Sequence, residues 1–143
     1  MTIPLTQQGT RSTTGRSIWS VAAAFIVVFI LSLGTDQVLH VMKVYPPWGE
    51  PMWSPALNLL ALSYRCVFGV LGSYITARLA PHSPMKHVWI GAAIGFVLSA
   101  AGAIAGMKMN LGPVWYPVLL ALSVVPTSWI GGRAGMRGVR AGV

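Results

Sequence analysis

Four apolar runs, at about residues 18–42, 57–79, 87–107 and 114–131, divide this chain of 143 residues. A helix rises 1.5 Å per residue, so ~20 residues cross a hydrocarbon core ~30 Å thick, and each run is close to that length. Inside lipid every backbone N–H and C=O must find a partner within the spanning structure, which leaves helices or closed barrels. Runs this long predict helices. Composition agrees, since only 8% of residues are charged, against about 25% in soluble domains. The expected fold class is an all-α integral membrane four-helix bundle made of two consecutive helical hairpins.

Around this domain, expected over 17–133, lie a disordered tail over 1–16, rich in Thr, Ser, Gln and Gly, and a basic tail over 134–143. The first run reads as a span and not as a signal peptide, because no A-x-A-like cleavage site follows Leu33. Orientation follows from the cations. Arg11, Arg16, Arg78, Lys86, Arg133, Arg137 and Arg140 fall on one side, against Lys43 and Lys108 on the other. That bias places both termini in the cytoplasm. It also accounts for the net charge of +8 without nucleic acid as a partner. The tryptophans give the same topology: Trp19, Trp89 and Trp129 fall at inner ends, while Trp48, Trp53 and Trp115 fall at outer ends with Tyr45 and Tyr116.

Against this apolar background, Asp36 and Arg65 are the strongly charged side chains assigned to the spans or their edge. An Arg at mid-membrane costs about 2.5–3.5 kcal/mol on insertion scales, so it faces protein or water and marks a partner or a pathway. Asp36 is one turn before His40 on the same helix face, and Arg65 lies ~12–14 Å below the outer start of helix two. An Asp36–Arg65 ion pair across the first hairpin is expected, with His40 above it. As structure the pair is a clamp; as function Asp36 and His40 accept protons in an outer vestibule and Arg65 binds an anion.

The outer connection from Tyr45 to Pro55 carries four prolines and two tryptophans in eleven residues, which excludes a helix. It reads as a rigid cap holding Trp48, Glu50 and Trp53, or as a lid or partner-docking surface. Small residues mark the expected helix contacts: Gly69, Ser73 and Ala77 on helix two, and Gly91, Gly95, Ser99 and Ala103 on helix three. They let backbones approach closely, so helices two and three should pack together, or helix three should form an oligomer interface. Pro126 is expected to kink helix four, with Thr127 and Ser128 re-satisfying its backbone. The segment 59–63 recurs letter for letter at 119–123, the mark of a parallel repeat of the hairpin. Arg65 then corresponds to Val125, which assigns the polar chemistry to the first hairpin alone.

The segments Thr35-Asp36-Gln37-Val38-Leu39-His40, Val44-Tyr45-Pro46-Pro47-Trp48, Tyr64-Arg65, Trp115-Tyr116-Pro117 and Gly131-Gly132-Arg133 resemble a family of small uncharacterised bacterial four-helix integral membrane proteins. The resemblance covers about residues 18–133. It implies the membrane class and a place in the inner membrane of a bacterium, and carries no activity.

No metalloprotease, P-loop, dinucleotide-binding or serine-hydrolase motif is present in the sequence. Asp36 and His40 supply two ligands where a closed metal site needs more. Cys66 reads as a packing residue, and His82 and His87 as interfacial groups. No enzyme, metal or cofactor is therefore expected. The leading expectation is a small oligomeric transport or permeation protein using Asp36, His40 and Arg65; the other is a noncatalytic accessory or scaffold subunit bound to another membrane protein. A reporter fused after Val143 and a thiol label within residues 1–10 should both report cytoplasm, while Glu50→Cys should be labelled from outside. Reversal of any one overturns the orientation.

Overall fold

A computed structural model of the chain describes residues 6–140, with side chains over 13–138. Among the described residues there are four helices and no strand: α1 (Thr6–Val41), α2 (Pro55–Leu79), α3 (Pro84–Lys108) and α4 (Trp115–Arg140). All four are long and apolar enough to cross a membrane. The expected runs and the observed helices agree, with corrections at both ends of the chain. α1 begins at Thr6, inside the segment read as a disordered tail, and α4 continues to Arg140 through the segment read as a basic tail. Adding residues to an established helix lacks the cost of nucleation, so a long apolar helix carries polar flanks with it. Residues 1–5 and 141–143 lie outside the described part.

Two ends can be told apart. The long-loop end holds residues 42–54 and 109–114; the short-loop end holds residues 80–83, the start of α1 and the end of α4. α1 stops where Lys43 enters the left-handed region (φ 58) and the amides of Val44 and Tyr45 turn back to the Leu39 carbonyl. α3 stops in the same way at Asn110 (φ 54), with the amide of Leu111 on the Gly106 carbonyl. The two loops of this end are joined by the amide of Met52 on the Leu111 carbonyl, at 2.8 Å.

The most extensive helix contact is between α2 and α4, ahead of α1 with α2 and α3 with α4. The expected α2–α3 pairing is a lesser contact, and this corrects the sequence reading. The reason is the placement of glycine on α4. A Cβ at Gly131 would lie 2.1 Å from the Val70 carbonyl oxygen and 2.8 Å from the Ser73 Cβ, and one at Gly135 would lie 2.7 Å from the Ala77 Cβ. α2 and α4 thus run parallel with their backbones in contact, and the stripe of Gly69, Ser73 and Ala77 meets α4: a Cβ at Gly69 would approach Thr127 Oγ1 at 3.2 Å. Gly132, one residue on, faces Met85 and Val88 of α3, so α4 is wedged between α2 and α3. The α3 stripe is looser. A Cβ at Gly95 would meet nothing closer than 3.9 Å, and one at Gly91 only Val21 at 3.7 Å.

The buried apolar residues are mostly alanine, including Ala24, Ala61, Ala77, Ala92, Ala103 and Ala121, while Phe29, Val67, Val97 and Leu98 point outward. Water would penalise this distribution and lipid would not. The repeated segments also behave alike: Ala61 and Ala121 are both buried, and Ser63 and Ser123 donate to the carbonyls of Leu60 and Leu120. α4 is a continuous helix through Pro126; Thr127 Oγ1 donates to the Ser123 carbonyl at 2.7 Å, while the Ser128 hydroxyl makes no such bond.

Gly131→Ala should lower stability by about 1–3 kcal/mol through overpacking against Val70. Gly95→Ala should be neutral or stabilising by up to ~1 kcal/mol, because Ala favours helix and has room. Thermal unfolding midpoints in detergent would show this, and equal midpoints would refute the assignment of the close contact.

Candidate functional site

Asp36 lies near the end of α1 and is 7% exposed. One of its oxygens, Oδ2, is 2.6 Å from an Arg65 terminal nitrogen on α2, and the other, Oδ1, accepts the phenol proton of Tyr64. The second terminal nitrogen of Arg65 donates to the Tyr116 hydroxyl on α4, at 2.9 Å. Both carboxylate oxygens and both terminal guanidinium nitrogens therefore have protein partners. Charge-assisted bonds of this kind offset the desolvation of the two ions, which an unpaired ion in the same place would bear alone. Arg65 Nε is buried without a partner among the described residues.

The network continues into the cap. Tyr45, 6% exposed, places its hydroxyl 3.4 Å from that of Tyr64 and 3.5 Å from the Leu57 carbonyl. Burial pushes its phenol above the ordinary tyrosine range, so it stays protonated and donates. Asn58, almost wholly buried, donates through Nδ2 to the carbonyls of Met52 and Ser54, both at 2.9 Å, and fastens the cap to α2.

The expected Asp36–Arg65 pair is thus formed. His40 stands apart from the carboxylate: its Nδ1–H donates to the Asp36 main-chain carbonyl at 2.7 Å, and its ring stacks on Trp48 at 3.9 Å. Trp48 Nε1 donates to Gln37 at 3.3 Å, so the cap folds against the last turns of α1. Glu50 and Trp53 are exposed. The polar chemistry is not confined to the first hairpin, because Tyr116 from α4 completes the site. Tyr45, Tyr64, Asn58 and Tyr116 were not singled out as site residues by sequence reasoning. The adjacency of Tyr64 to Arg65 was a visible signal; the reach of Tyr116 across 51 positions was not.

Two cavities adjoin the ion pair, and a third lies farther from the long-loop end. A cavity of about 320 Å³ at the long-loop end, between α2, α3 and α4, is lined by Asn58, Arg65, Ser99 and Tyr116. A second, of about 410 Å³, opens where α1 and α3 diverge and is lined by Ser32, Asp36, Arg65, Ser99 and Thr127. The third, of about 100 Å³, is bounded by all four helices and includes Ser73, Thr76, Val88 and Ser128. Arg65 and Ser99 form part of the wall of both the first and the second; Phe25, Gly95 and Val124 are common to the second and third. Among the described residues no group of three or more His, Cys, Asp or Glu side chains is placed to hold a metal ion. The chain matches no protein-family model, no curated protein and no solved structure.

Asp36→Ala and Arg65→Ala should each destabilise the protein by about 3 kcal/mol, since each strands the other charge, and the double variant should cost less than the sum. Tyr116→Phe should cost about 1 kcal/mol. Additive losses in detergent unfolding would show that the pair contributes nothing as a unit.

Proposed function

We propose that this chain is a small noncatalytic transport or permeation protein of a bacterial inner membrane, with both termini cytoplasmic and the long-loop end outside. The observation that carries this reading is the position of Arg65 in the wall between two cavities, with Asp36 beside it in the second. An intramembrane ion pair that only joins helices has no need of space on either side; one that gates or contacts a solute does. The cation bias and the two groups of tryptophans support the orientation. Four short helices enclose little volume, which favours a homo-oligomer as the working unit.

A second reading is a noncatalytic accessory or scaffold subunit. It is favoured by the full occupation of the terminal atoms of Asp36 and Arg65 by protein groups. In that case the pair is a clamp and the function lies in a bound membrane partner.

Purified protein reconstituted in liposomes separates the two. Under the transport reading, at least one of water, glycerol, urea, acetate or protons should cross protein-containing vesicles several-fold faster than empty ones, and a folded Arg65→Lys variant should change that rate. Rates equal to those of empty vesicles for all five would leave the accessory reading.

A further inference from the structure

A serine or threonine hydroxyl inside a helix ordinarily satisfies itself by donating to the carbonyl three or four residues back. Ser20, Thr35, Ser63, Thr76, Ser123 and Thr127 all do so here. Ser32, Ser73, Ser99 and Ser128 make no hydrogen bond to the protein, yet none of their oxygens is sealed from contact. Each of the four lines at least one of the three cavities: Ser99 the first and second, Ser32 the second, and Ser73 and Ser128 the third. Thr76, Ser123 and Thr127 line the same cavities while bonded to the backbone; the four hydroxyls without a partner would cost about 1–3 kcal/mol apiece in a low-dielectric interior, and it is these that call for a polar occupant.

We infer that the three cavities form one hydrated pocket, entered from the long-loop end and closed at its far end in this conformation, whose occupants are water and small uncharged hydrogen-bonding solutes; passage across the bundle requires the far end to open. The innermost cavity, at about 100 Å³, has room for about three waters at ~30 Å³ each. The class of solute follows from the charges. Asp36 and Arg65 are the ionised side chains lining the series, and they neutralise each other. A free ion would enter without a counter-charge, at a cost of many kcal/mol that a neutral molecule does not meet. The far end is closed in this conformation because beyond Ser73 the backbones of α2 and α4 touch at Gly131 and Gly135, and Val88, 1% exposed, fills the space facing Gly132. Hydration rests on these hydroxyls and cavities alone; the assignment of the solute class rests on the transport reading.

The test is thiol accessibility in liposomes, in a Cys66→Ala background. A thiolate, the reactive form, requires water. Ser99→Cys, Ser73→Cys and Ser128→Cys should react with 2-hydroxyethyl methanethiosulfonate at least tenfold faster than Val67→Cys and Val125→Cys, which point outward from α2 and α4. The charged 2-sulfonatoethyl reagent should be slower than the neutral one at Ser73→Cys and Ser128→Cys. Gly95→Leu, which places a side chain between the second and third cavities, should suppress the reaction at Ser128→Cys and spare Ser99→Cys. Equal rates at Ser128→Cys and Val125→Cys, in variants with unchanged gel-filtration profiles, would overturn the inference; so would a Gly95→Leu variant that left Ser128→Cys as reactive as before. Reactive thiols without solute flux would retain the hydrated pocket and remove the transport reading. Flux with inert thiols would do the reverse.

Discussion

Helices surrounded by lipid gain nothing by covering leucine with leucine, so their association depends on how closely backbones can approach. Here that approach is made by α2 and α4 at Gly131 and Gly135, where even a methyl group would meet the carbonyl of Val70 or the side chain of Ala77. The two helices run parallel and in register, and everything else is placed by them. α1 leans on α2, where Gly72 receives Val28. α3 leans on α4, where Gly132 receives Met85 and Val88. Each outer helix packs mainly on one inner helix, and the outer two approach each other where Val21 faces Gly91 and Phe25 faces Gly95.

That arrangement brings the charged residues together. With α2 and α4 in parallel contact, Arg65 on one and Tyr116 on the other reach each other, and α1 returns Asp36 to the same height. Tyr64 and Tyr45 extend the network into the cap, where proline fixes the chain and Asn58 ties it to α2. Three helices and a loop therefore converge on one ion pair. Its local effect is to satisfy two ions in a place where neither is affordable alone; its wider effect is to set the height at which the long-loop end of the bundle closes.

The same geometry produces the cavities. Small residues along Gly91, Gly95 and Ser99 on α3 do not meet a tight partner, since α1 diverges from α3 above Phe25. A stripe of small residues has two possible outcomes: contact where a neighbouring backbone closes on it, and open space where none does. α4 shows the first and α3 the second. The open space lies beside Arg65 and carries the hydroxyls that lack backbone partners, so packing and the proposed permeation share one cause.

Local signals alone were sufficient for the number, length and helical character of the spans, because apolar length and proline placement act within a run of twenty residues. The pairing of Asp36 with Arg65 was also legible, since two opposite charges in an apolar hairpin at compatible depths have few alternatives. The disordered reading of residues 6–16 failed because composition does not report the propagation of a helix already formed next to it. The choice of α4 over α3 as the partner of α2 was invisible for a different reason. Both helices carry small residues at similar spacing, and which stripe is closed depends on the rotation of each helix about its axis. That rotation is decided by all the contacts at once. Tyr116 joined the site, and His40 turned from the carboxylate to Trp48, through the same collective choice, which no window of sequence contains.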